Sequence, residues 1–212
     1  MTASPGTVFL VDDDPAVLKG LERLLRAAGF AVRGFTSPEA FLDQHDAAHP
    51  GCAVLDLAMG GLSGLDLQRA LAARGCDRPV VFLTGRGDIP ASVRAMKAGA
   101  VDFVTKPVDD EELLTAVRLA LDKDRQAREA RIKLEAIERR LSALSPRERD
   151  VLRHVVAGRL NKQIAAELGT AEKTVKVHRG RVMVKMGVRS VAELVRLTEQ
   201  VGIAPAEIHS RR

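Results

Sequence analysis

Three adjacent aspartates, Asp12, Asp13 and Asp14, end an apolar run in the stretch VFLVDDDP. Neighbouring carboxylates repel one another, and placing them at the end of a buried strand is costly without compensation. Asp14 has a local explanation: it precedes Pro15 and a helical pattern, the arrangement of an N-cap followed by proline in the first turn. Asp12 and Asp13 need another. Asp56 closes a second apolar run, Thr84 closes a third, and Lys106-Pro107 follows a fourth. An isolated aspartate after a strand is ordinarily a turn former, and a lone Lys-Pro pair carries little. An acidic pair, a third carboxylate, a hydroxyl and an ammonium at four strand ends are hard to obtain by chance.

Together Asp12, Asp13 and Asp56 form an oxygen-rich set suited to a hard divalent cation. Mg²⁺, with Mn²⁺ as an alternative, takes few protein carboxylates, keeps waters and accepts phosphate oxygens. Asp56 could then serve as a carboxylate nucleophile towards phosphorus, with Lys106 and Thr84 holding phosphoryl oxygens.

These residues require strands to bring them to one rim. Apolar runs at 8–11, 31–35, 52–55, 80–83 and 101–105 predict five strands, and helical patterns at 16–28, 38–44, 65–74 and 90–98 lie between them. Several of these patterns stop at glycine (Gly29, Gly75, Gly99), as helix C-termini often do. Alternation of this kind predicts an α/β fold, a parallel sheet covered by helices on both faces. Ligands of such sheets bind beyond the carboxyl ends of the strands.

A fifth helix is expected from near Asp110, with Glu111 and Glu112 in its first turn. No proline or glycine stops it before Leu141, so residues 123–141 are expected to be a helical linker. A heptad traced from Leu113 meets Asp124, Arg131 and Glu138, which disfavours a strong coiled coil.

After Ser145-Pro146 the pattern changes to short helices at 146–157, 161–168, 172–186 and 191–199, a small all-α domain. Ser145 with Glu148 three residues later is a capping-box signature. The helix from Glu172 carries Lys173, Lys176, Arg179, Arg181 and Lys185 and follows a turn at Gly169, which is helix-turn-helix spacing. A basic helix of this kind suits a major groove bordered by phosphates.

Charge divides the chain in the same place. Residues 1–122 hold 12 Lys/Arg against 17 Asp/Glu, a net of −5, and residues 123–212 hold 21 against 11, a net of +10. An acidic unit is joined to a basic one that favours an anionic partner. With six Phe and neither Trp nor Tyr in 212 residues, the core must be aliphatic. No apolar run approaches a membrane span and the N-terminus lacks a signal pattern, so the chain is expected to be cytoplasmic, without a membrane partner. Cys52 and Cys76 have no metal-type spacing.

The stretches VDDDP, VLDLAMGGLSG and LTGRGDIPASVRAMKAGAVDFVTKP resemble the receiver domain of bacterial two-component response regulators over residues 6–122, a flavodoxin-like doubly wound fold. The resemblance implies that Asp56 accepts a phosphoryl group from a sensor histidine kinase. It implies that Asp12 and Asp13 are the acidic metal pair, with the Ala58 backbone carbonyl as a further ligand. Thr84 and Phe103 match the family's switch pair and Lys106 its lysine. The family often reads Asp-x-x-Met-Pro after the nucleophile, whereas this chain has Gly60 in place of the proline, a change expected to loosen that loop.

The stretch LSPRERDVLRHVVAGRLNKQIAAELGTAEKTVKVHRGRVMVKMGVRSVAELVR resembles the LuxR-type DNA-binding domain over about residues 142–200, and the domain is expected to span 142–207. The combination resembles the FixJ branch of the NarL/FixJ response regulators. By that analogy Lys176, Val177 and Gly180 face the bases of promoter DNA, Arg179 lies at the groove edge, and Lys162, Thr174 and Lys185 contact phosphates; Lys173 of the same basic helix is a further expected DNA-binding residue. Gly180 departs from the pattern, since glycine inside a helix costs about 1 kcal/mol against alanine. If phosphate at Asp56 draws Thr84 inward and Phe103 fills the space, the surface bearing Arg94, Lys97, Asp109, Asp110 and Arg118 is reshaped; its mixed charges suit a two-fold contact, so a homodimer on phosphorylation is expected, with RNA polymerase a further candidate partner. The chain is therefore expected to regulate transcription rather than act as an enzyme. Two alternatives stay open: a regulator indifferent to phosphorylation, and an aspartyl-phosphate phosphatase using Asp12 and Asp14, for which no cap domain is apparent.

Overall fold

The computed structural model describes residues 6–85 and 95–206. The chain divides into two compact units, Met1–Arg128 and Glu129–Arg212.

In the first unit β1 (Thr7–Val11), β2 (Ala31–Phe35), β3 (Gly51–Asp56), β4 (Val80–Thr84) and β5 (Asp102–Thr105) form a parallel sheet in the order β2-β1-β3-β4-β5. β1, β3 and β4 are buried along their whole length, which is why they read as continuous apolar runs rather than alternating ones. Successive side chains of a strand face opposite ways, and the core is accordingly split in two. Phe9, Val11, Leu55 and Phe82 pack with Phe41, Leu67 and Leu71 of α2 (Pro38–Gln44) and α3 (Gly64–Ala73) on one face. Val8, Leu10, Val54, Val81 and Val104 pack on the other with Leu18, Leu21 and Leu25 of α1 (Pro15–Ala27) and Leu113 and Val117 of α4 (Asp110–Ser142). The expected helix at 90–98 falls partly on residues 90–94, outside the described residues; residues 95–97 are helical.

Asp14 caps α1, its side chain accepting from the N–H groups of Ala16 and Val17, with Pro15 in the first turn. That accounts for the third aspartate of the triplet.

α4 has no internal stop and runs for 33 residues. Its stretch after residue 122 is tied to the first unit. Asp124 accepts a hydrogen bond from the Gly51 N–H (2.9 Å) and an ion pair from Arg128 (2.8 Å). Arg128 also donates to the carbonyls of Ala47, Ala48 and His49. The first compact unit extends to Arg128, and these polar contacts hold the start of β3 and the loop before it.

The second unit packs α5 (Pro146–Val156), α6 (Asn161–Glu167), α7 (Glu172–Met186) and α8 (Val191–Gln200) around Val151, Leu152, Ile164, Val175, Val182, Met186 and Leu194. Ile137 of α4 belongs to this core. The Ser145–Glu148 capping box opens α5 as its sequence predicts. α7 ends at Gly187, whose φ of 67° is the left-handed conformation that glycine tolerates.

Candidate functional site

The sheet order places β1 and β3 side by side with connections leaving in opposite directions, a topological switch point. Asp12 follows β1, Asp56 ends β3, Thr84 ends β4 and Lys106 follows β5, so the residues singled out by sequence share one rim. One oxygen each of Asp12, Asp13 and Asp56 lie within 4.8 Å of one another. Asp12 and Asp56 are 1 % and 6 % exposed, whereas Asp13 is open to solvent. The rim is thus a pocket with two walled carboxylates and one at its mouth.

Lys106 compensates the buried pair. Its Nζ lies 2.8 Å from Asp12 Oδ2 and 3.1 Å from Asp56 Oδ2. Burial pulls the ammonium down, but its bonds to Asp12 and Asp56 outweigh that and hold it above its ordinary value. Burial pushes the Asp56 carboxyl up, Lys106 offsets this in part, and the Asp12 charge adds to the rise. A buried carboxylate that can give up its cationic partner is disposed to take a new electropositive centre.

The loop after β3 holds the mouth. The Gly60 N–H donates to Asp13 Oδ2 at 2.8 Å, and the Ala58 N–H approaches Asp56 Oδ1 at 3.4 Å. Gly60, in place of the family's proline, thus ties this loop directly to a site carboxylate. Gly64, which the sequence reading passed over, stands where α3 begins behind Asp56: a Cβ there would come within 2.3 Å of the Asp56 carbonyl oxygen. Its signal was available in the GGLSG stretch. Thr84 is 2 % exposed and its hydroxyl donates to the Gly85 carbonyl (3.2 Å). Phe103 is 37 % exposed and pairs in register with Phe82, two positions before Thr84.

The second unit presents α7. Lys173, Thr174, Lys176, Val177 and Gly180 are exposed along it, as is Lys162 on α6. Two expected DNA contacts are engaged internally. Arg179 is half-buried and donates to Asn161 Oδ1 (3.1 Å), bracing α7 against α6. Lys185 donates to Glu148 Oε2 (2.7 Å) and to the Ala143 carbonyl (3.0 Å). The Lys185 hydrogen bond, and then the Ser145 N–H, lower the Glu148 carboxyl from its ordinary value to about 2. Sequence reading found the charges of α7 but not this division, because a buried glutamate 37 residues away decides it.

Residues 8–118 match the family described as the response regulator receiver domain, and residues 142–198 match the bacterial regulatory proteins of the luxR family. Nodulation protein W of Bradyrhizobium diazoefficiens is 47 % identical over 197 residues, covering 93 % of this chain and 87 % of that protein. Transcriptional regulatory protein FixJ of Azorhizobium caulinodans is 44 % identical over 200 residues, covering 94 % of this chain and 95 % of the relative. Among solved structures, the low-resolution structure of the response regulator StyR superposes with a TM-score of 0.86 at 48 % identity, over 93 % of this chain and all of that one. No helix among the described residues is long and apolar enough to cross a membrane.

Proposed function

The chain belongs to the response regulators that join a receiver domain to a LuxR-type DNA-binding domain, and from that premise we propose that phosphorylation of Asp56 controls its binding to promoter DNA. The observation that carries the proposal is the placement of Lys106 between two buried carboxylates, one of which is Asp56. In this reading an Asp56 carboxylate oxygen bonds to phosphorus as the bond from phosphorus to the kinase histidine breaks. Lys106 then turns from the free carboxylate to a phosphoryl oxygen, and the Thr84 hydroxyl donates to another.

The donor set of Asp12, Asp13 and Asp56 fits a hard divalent ion such as Mg²⁺, since it is all oxygen, compact and open on the Asp13 side. The Ala58 carbonyl is the fourth group we assign to it. The ion would offset the negative charge that the phosphoryl oxygens bring to a site already rich in carboxylates.

Lys176, Val177 and Gly180 read bases in this proposal, with Lys162, Lys173 and Thr174 on phosphates. Arg179 and Lys185 position α7 through Asn161 and Glu148. The protein works on the chromosome, in the cytoplasm, with a sensor kinase upstream and RNA polymerase as a partner at the promoter. Treating the full chain with acetyl phosphate and Mg²⁺ is expected to add one acid-labile phosphoryl group and to tighten binding to promoter DNA. Unchanged labelling of Asp56→Asn would overturn the assignment.

A further inference from the structure

α7 has two opposite faces. Val175, Val182 and Met186 are fully buried in the core of the second unit. Lys173, Val177, Gly180 and Val184 follow one another at spacings of four, three and four residues, so they form a single stripe on the other side. Val177 and Val184 are 47 % and 80 % exposed. Two large aliphatic side chains left in water on one stripe are not explained by the fold. Gly180 is not explained by it either: a Cβ at that position would meet nothing within 4 Å. Alanine would fit and would strengthen the helix, so no internal contact accounts for the glycine.

The occupant that suits this stripe is double-stranded DNA. Lys173 and Lys176 stand at its near end and Arg181 beside it, all exposed, which places cations around an apolar strip as a major groove demands: phosphates at the borders, base edges inside. Apolar side chains in a major groove contact the thymine C5 methyl group. We propose that Val177 and Val184 read thymine methyls, and that Gly180 between them is the point where the α7 backbone comes closest to the bases. A side chain at 180 would hold the helix away from both. The consequence is a site with thymine at two positions separated by about two helical turns of protein, some 10 Å along the groove at 1.5 Å per residue. This inference rests on α7 being the DNA reader and adds what it reads.

The test uses full-length protein treated with acetyl phosphate, and duplexes that the wild-type protein itself enriches from a random pool. Replacing a contacted thymine by uracil removes only the methyl group. It is expected to weaken wild-type binding by about threefold to fivefold at each such position. Val184→Ala is expected to abolish that sensitivity at one position and Val177→Ala at another. Gly180→Ala is expected to bind the enriched duplex roughly tenfold more weakly, while its melting temperature stays equal or rises. Wild-type affinity in Gly180→Ala, or indifference to uracil everywhere in the duplex, overturns the inference. In that event Lys176→Ala separates the two levels: if it still weakens binding, α7 remains the reader and only the methyl-reading stripe is wrong. If Lys176→Ala also binds normally, α7 is not the reader and both proposals fall.

Discussion

Lys185 Nζ lies 2.7 Å from Oε2 of Glu148, a carboxylate only 3 % exposed, so the last turn of α7 is anchored to the first turn of α5 by a charge-assisted bond. Glu148 accepts at the same time from the Ser145 N–H at 2.8 Å. Lys185→Ala therefore leaves a buried carboxylate short of its cation. We expect it to lower the stability of the second unit by about 1–3 kcal/mol and to leave the salt dependence of DNA binding unchanged. Lys173→Ala should do the reverse, reducing the slope of log affinity against log salt by about 1 while stability holds. Thermal melts and salt titrations of the two variants check the division.

The same pair sets an acid limit. The folded Glu148 carboxyl sits at about 2 against an ordinary 4.5. A group lowered on folding stabilises fully above its unfolded value and loses that contribution as pH falls through the folded one. Stability of the second unit should thus decline from pH 4.5 down to about 2. In Glu148→Gln this part of the decline should vanish, as read from denaturant midpoints across that range.

Asp13 is the exposed member of the acidic set and is held by the Gly60 N–H. Asp13→Ala should cut Mg²⁺-dependent phosphorylation by roughly 10–100-fold, comparable to losing a group that orients a metal. Raising Mg²⁺ should restore part of it. Phosphorylation rates over a Mg²⁺ series are the measurement, and a rate independent of Asp13 would remove it from the metal site.

Thr84 spends its hydroxyl on the neighbouring Gly85 carbonyl, and Phe103 is more than a third exposed on the adjoining strand. We expect Thr84→Ala to accept phosphate at Asp56 but to form a dimer roughly 5–150-fold more weakly, the usual range of coupling between sites. Light scattering before and after phosphorylation reads it. Of the charges expected at the dimer surface, Lys97, Asp109, Asp110 and Arg118 are among the described residues and Arg94 is not.

Arg128 closes three carbonyls of the loop before β3. Arg128→Ala should destabilise the first unit by about 1–3 kcal/mol and raise hydrogen exchange at residues 45–51, with no change in the melting of the second unit.

Much of this was legible because it is written in local pattern. Continuous apolar runs gave β1, β3 and β4, since strands buried on both faces need no alternation. Asp12, Asp56 and Thr84 stood at the ends of those runs, Lys106 stood just past the end of β5, and topology did the rest. What stayed hidden depends on contacts between distant segments. Nothing near Lys185 in sequence distinguishes it from Lys176, yet one is tethered to Glu148 and the other points outward. Gly60 read as a loosened loop because its partner, Asp13, lies 47 residues earlier. Asp124 and Arg128 read as ordinary members of a charged helix, while they bond to Gly51 at the start of β3 and to the loop before it.

The continuity of α4 bears on how the protein can be dissected. Cutting after residue 122, where the charge changes sign, would remove Asp124 and Arg128, strip the Gly51 N–H and the Ala47 and Ala48 carbonyls of the partners described above, and leave the His49 carbonyl to Arg78 alone. Starting a fragment at residue 142 would remove Ile137, which is 4 % exposed in the core of the second unit, and Arg140, which donates to the Met186 carbonyl. Neither the charge boundary at 122 nor the family boundary at 142 is a safe place for the scissors. A receiver fragment needs to run past Arg128, and a DNA-binding fragment needs to begin before Ile137, so that the few residues of α4 between them are all that can be shed without wounding one half or the other.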